Sequence, residues 1–142
     1  QQPAPLSGPA ETPAPPPAPY RRSRVLLVED DHAVRDATRL LLKVEGYEVF
    51  GVASLAEALQ KTREIGRVDL LITDYHLRDG ETGTQVIATL RETLPAPLKA
   101  VLITGDTSTS IKQLSCDPHL RLASKPIKAE ELLQILKVLL AV

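Results

Sequence analysis

Four short apolar runs in this chain are each followed by a reactive side chain: Val25-Leu26-Leu27-Val28 by Glu29 and Asp30, Leu70-Leu71-Ile72-Thr73 by Asp74, Val101-Leu102-Ile103 by Thr104, and Leu120-Arg121-Leu122-Ala123 by Ser124 and Lys125. Aliphatic and β-branched runs of this length, without polar alternation, read as strands buried on both faces, the habit of a parallel sheet covered by helices. Parallel strands share one carboxyl edge. Residues following several of them converge in space, and in open α/β sheets that edge is where ligands bind. Three carboxylates, a hydroxyl and an ammonium are therefore expected to meet.

Helical patterns fill the intervals. From about Asp31 to Glu45, Val34, Ala37, Leu41 and Val44 recur at spacings of three and four, predicting a helix with one apolar face that Gly46 ends. A strand from Val49 to Val52 leads into Ser54-Leu55-Ala56-Glu57, a capping box opening a helix that runs to about Ile65 and stops at Gly66. After Asp74 comes a loop, Tyr75 to Gly83, then a helix through Val86, Ile87 and Leu90 that Pro95 and Pro97 terminate. The fourth strand leads to a polar stretch, Asp106 to Ser110, and a short helix near Ile111 to Leu114. The last helix follows Lys125-Pro126 and carries Leu132, Leu133, Ile135, Leu136, Leu139 and Leu140. Five β-α units with short connections imply right-handed crossovers and a flavodoxin-like, doubly wound (βα)5 sandwich with parallel sheet order 2-1-3-4-5. That order places Glu29, Asp30, Asp74 and Thr104 together at the switch point.

The organisation expected is a linker over residues 1–20 and one domain over 21–142. Eight of the twelve prolines lie between Pro3 and Pro19, where Glu11 is the only charge, so this leader cannot bury an apolar face and reads as a semi-rigid extended linker or, equally, as a tail without a role. A chain without methionine, even at position 1, is expected to be a piece of a longer polypeptide. A net charge of -1 offers no broad basic field for nucleic acid, and Arg21-Arg22-Ser23-Arg24 is the only basic cluster. No apolar stretch approaches the roughly 20 residues of a membrane span, so direct membrane contact is not expected. Cys116, alone, excludes an internal disulfide and suits a reducing cytoplasm.

Several carboxylates at one edge repel one another unless a cation sits among them. Oxygen ligands without a converging imidazole or thiolate select a hard divalent ion, and a shallow site that keeps waters suits Mg²⁺. A carboxylate flanked by such a metal and by Lys125 is placed to attack a phosphoryl group, because both cations neutralise charge on its oxygens. Asp74, following the central strand, is the candidate nucleophile. Glu29 and Asp30 form the metal-holding pair, and Thr104 can hydrogen-bond a phosphoryl oxygen. Asp31 reads as a helix cap. His32, His76 and His119 are expected in surface loops.

Val25-Leu26-Leu27-Val28-Glu29-Asp30-Asp31, Leu71-Ile72-Thr73-Asp74-Tyr75, Val101-Leu102-Ile103-Thr104-Gly105 and Ser124-Lys125-Pro126 resemble the receiver domain of bacterial two-component response regulators, over about Arg24 to Val142. The resemblance implies that Asp74 is the phosphoacceptor, Asp30 a direct Mg²⁺ ligand, Glu29 a ligand through water, and the backbone carbonyl of His76 a further metal contact. It implies Thr104 as the switch hydroxyl, Lys125 as the phosphate-facing lysine and a cis bond before Pro126. The implied partner is a histidine kinase or histidine phosphotransfer domain. The domain would be an enzyme only in hydrolysing its own acyl phosphate, and the proline-rich leader resembles that of a receiver in a hybrid sensor histidine kinase. The resemblance is also compatible with a homodimer.

Two departures from the family pattern stand out. Leu122 occupies the position where an aromatic switch residue is usual, and the loop Leu77 to Gly83 is one residue longer than usual, with Arg78 in place of a common proline. Other classes fit less well. A haloacid-dehalogenase-like phosphatase needs a second aspartate where this chain has His76, and a flavin carrier needs a phosphate loop where Glu29-Asp30-Asp31 would repel it. A non-catalytic pairing module is the remaining alternative.

Overall fold

The computed structural model describes residues 23–94, 98–105, 119–125 and 127–140. In β1 (Arg24–Val28), Val25 to Val28 are all buried, yet they alternate between two cores. Val25 and Leu27 join Leu70 and Ile72 of β3 (Leu70–Asp74) on one face, while Leu26 and Val28 join Leu71 on the other. Apolar residues at both phases of a two-residue period are what a strand covered on both sides requires. With β2 (Glu48–Val52), β4 (Lys99–Thr104) and β5 (Leu120–Ser124) these strands form a parallel sheet in the order β2-β1-β3-β4-β5, as the sequence predicts.

Helices α1 (His32–Val44) and α4 (Ala129–Leu140) cover the first face, and α2 (Leu55–Ile65) and α3 (Gly83–Thr93) the second. The last helix buries Leu132, Leu136 and Leu139 at spacings of four and three, each contributing about 2 kcal/mol of apolar burial. Short-range chemistry sets the ends. Asp31 caps α1 by accepting from the Ala33 and Val34 amides, and Gly66 closes α2 in the left-handed conformation. Only half of the predicted capping box forms: the Ser54 side chain accepts from the Glu57 amide, but the Glu57 carboxylate takes the Ala53 amide instead of that of Ser54. The complete box is at Thr82 and Gln85, opening α3.

α1 departs from its predicted packing. Of the series Val34, Ala37, Leu41 and Val44, three face solvent, with Val34 48% and Val44 75% exposed, and the residue driven fully inward is Leu42. Arg35, Thr38 and Arg39 are half-buried on that same inward side. The cause lies in β2: Gly51 leaves room against which the Arg35 and Arg39 stems pack, and a Cβ there would approach Arg35 Cγ to 3.2 Å. Arg35 Nη1 also donates to Glu29 O at 2.8 Å, fixing the helix rotation. His32, expected in a loop, begins α1 and pairs with Asp36 at 3.3 Å. Residues 1–20, the segments 106–110 and 111–114, and Pro126 with the bond before it lie outside the described residues.

Candidate functional site

Strand register assembles the site. Val28 pairs with Thr73, so Glu29 comes level with Asp74; Asp74 pairs with Ile103, so Thr104 stands one residue beyond. Thr104 pairs with Ser124, which sets Lys125 next along. The ladder continues past the strand ends, with the Tyr75 amide donating to Ile103 O at 2.8 Å and the Lys125 amide to Thr104 O at 3.0 Å. Residues 21 to 96 positions apart in sequence thus share one rim.

Glu29, Asp30 and Asp74 each offer a carboxylate oxygen within 4.8 Å of the others. Asp74 is 7% exposed, and Lys125 Nζ donates to its Oδ2 at 2.9 Å. Glu29 is buried and accepts from the Asp31 amide at 3.2 Å. Burial, more than the nearby Asp74 charge, pushes its carboxyl up to about 7. Burial alone would lower the Lys125 ammonium, but its hydrogen bond to Asp74 and the charges of Asp74, Glu29 and Asp30 outweigh that and raise it. An all-carboxylate donor set at this spacing fits a hard divalent cation. Thr104 is buried beside this group, and the His76 side chain is exposed at the rim, its ring edge-on to Tyr75 at 4.7 Å.

The base of the site is closely packed. At Gly83, the first residue of α3, a Cβ would lie 2.5 Å from Asp74 O and 2.6 Å from Leu102 Cδ1, so only glycine lets the helix start this close to the nucleophile candidate. The acidic group and Lys125 themselves line a cleft of ≈ 700 Å³ that opens between α1 and α4, with Val34, Ile72, Ile103 and Leu132 among its apolar walls.

Two residues that sequence reasoning did not assign to the site belong to its surroundings. Arg78 Nε lies 3.6 Å from Asp30 Oδ2, and the Glu81 carboxylate accepts from the Leu55 amide at the start of α2 at 3.2 Å. The only local signal was an arginine four residues after Asp74, in the lengthened loop. Leu122, at the usual aromatic position, is half-buried against the α2/α3 core.

Fold and rim together define a flavodoxin-like α/β domain with an acidic, lysine-bearing site at its switch point. The response regulator receiver domain family matches residues 25–137, and the chain belongs to that family, a component of two-component systems. Among its relatives is the sensor kinase CckA of Brucella abortus (strain 2308), 31% identical over 118 residues, which cover 82% of this chain and 12% of that protein. The KDP operon transcriptional regulatory protein KdpE of Escherichia coli (strain K12) is 32% identical over 120 residues, 83% of this chain and 51% of that protein. The chain therefore spans about half or less of these relatives. Among solved structures, the chemotaxis protein CheY4 of Vibrio cholerae superposes with a TM-score of 0.75 at 28% identity, covering 84% of this chain and 100% of that one. The receiver domain of the hybrid histidine kinase CckA gives 0.69 at 31% identity, covering 83% and 99%.

Proposed function

We propose that this domain is a phosphoryl-accepting switch, taking a phosphoryl group from a partner phosphohistidine onto Asp74. The observation that carries the reading is the Lys125–Asp74 contact of 2.9 Å within reach of two further carboxylates. In the transfer, an Asp74 carboxylate oxygen forms a bond to phosphorus as the phosphorus–nitrogen bond breaks, and the imidazole leaves with the electron pair. Lys125 holds the charge on one equatorial oxygen, and the Thr104 hydroxyl donates to another. Glu29, Asp30, Asp74 and the His76 carbonyl would hold Mg²⁺, which when bound neutralises phosphoryl charge. Hydrolysis of the acyl phosphate resets the switch, an enzymatic activity only in that limited sense.

The partner in this reading is a histidine kinase or a histidine phosphotransfer domain in the cytoplasm. The similarity to the CckA sensor kinase and to the CckA hybrid kinase receiver favours a place within a hybrid histidine kinase, with residues 1–20 as the connecting linker. Leu122 removes the usual aromatic from the route to output, so the signal would pass through Thr104 and the segment after it. Incubation with acetyl phosphate and Mg²⁺, followed by intact mass, tests the reading. Wild type is expected to gain one base-labile phosphoryl group and Asp74→Asn none. No gain from acetyl phosphate or from a phosphohistidine donor, or an equal gain in Asp74→Asn, would overturn it.

A further inference from the structure

The loop after Asp74 has a built shape that fixes where Arg78 starts. Leu77 is buried, its amide donates to Glu81 O at 3.0 Å, and the Glu81 amide donates to Arg78 O at 3.2 Å. Asp79 and Gly80 adopt φ of 61° and 78°, turning the chain tightly, and His76 bridges to Thr82. The Glu81 carboxylate then ties the loop to the first amide of α2. From this frame the Arg78 side chain, 75% exposed, extends to within 3.6 Å of Asp30.

Charge pairing around the acidic group follows a pattern. Asp74 has Lys125 and Asp30 has Arg78, while Glu29 has no ion pair of its own among the described residues. Two resident cations thus face three carboxylates. A dication entering this group must compete with whatever already neutralises it, and of the two resident cations Arg78 is the more exposed, 75% against 47% for Lys125.

We propose that Arg78 is a positioning residue that competes with the divalent cation for Asp30, holding that carboxylate in the metal-free state and weakening metal affinity. The inference rests on the metal reading above. An exposed ion pair contributes little, so the expected effect is modest: Arg78→Gln should bind Mg²⁺ about twofold to fivefold more tightly than wild type at low salt. The difference should shrink as added salt screens the pair, and Arg78→Lys, which keeps the charge, should restore most of the wild-type affinity.

The experiment is isothermal titration of Mg²⁺ into the full chain and both variants at two ionic strengths, with thermal melts confirming that all three are folded. Tighter binding by Arg78→Gln with salt-sensitive rescue by lysine supports the inference. Equal or weaker binding by Arg78→Gln, with wild-type binding intact, overturns the inference alone. Absence of binding in every form overturns the metal reading together with it.

Discussion

Burying Glu29 should make the metal-free domain lose stability as pH rises from about 4.5 to about 7. Its carboxyl, ordinarily near 4.5, is pushed up to about 7 by desolvation. Between those values the folded chain holds a proton that the unfolded chain has released, so unfolding free energy falls with rising pH in that window. The stabilising contribution is complete below about 4.5 and gone above about 7. A displacement of this size corresponds to about 3 kcal/mol as an upper figure, since the carboxylates near Glu29 titrate together with it. Glu29→Gln keeps the shape and removes the titration. Urea unfolding followed by circular dichroism, in EDTA between pH 4 and pH 8, should show wild type losing up to about 3 kcal/mol relative to Glu29→Gln. Mg²⁺ should narrow that difference and release protons on binding near pH 6, because the ion requires the ionised carboxylate. Parallel pH profiles for the two proteins would refute the reasoning.

Gly83→Ala should destabilise by about 1 to 3 kcal/mol, because its new methyl meets Asp74 O and Leu102 Cδ1 inside van der Waals distance; thermal denaturation checks it, and an unchanged melting temperature would contradict the packing at the base of the site. Lys125→Met should slow acetyl phosphate labelling about 100-fold while changing unfolding free energy by about 1 kcal/mol or less. The split arises because the Lys125 side chain is 47% exposed, and its charge matters most when phosphoryl charge develops beside it. Mass spectrometry over time and urea unfolding measure the two sides.

Some of this was written locally in the chain and some was not. The strands were legible because both-face burial forces consecutive apolar residues, as in Leu70 to Ile72, and their order followed from short connections. The rim residues were legible for the same reason: whatever follows a parallel strand must reach the carboxyl edge, so Glu29, Asp30, Asp74, Thr104 and Lys125 could be brought together without coordinates. The Thr82-Gly83-Thr84-Gln85 capping box was also local and readable, although the expected box lay at Ser54, where Glu57 turned to Ala53 instead.

Tertiary structure decided what depends on distant partners. Periodicity placed Val34, Ala37, Leu41 and Val44 on one face of α1, but the rotation of that helix was set by Gly51 on β2 and by the Glu29 carbonyl, which admit arginine stems where that apolar stripe was expected. The proximity of Arg78 to Asp30 depends on a loop closed by its own backbone and pinned to α2, joining residues 48 positions apart. The ionisation of Glu29 is of the same kind: its identity is a letter in the sequence, while its proton is held by how much water the surrounding fold removes.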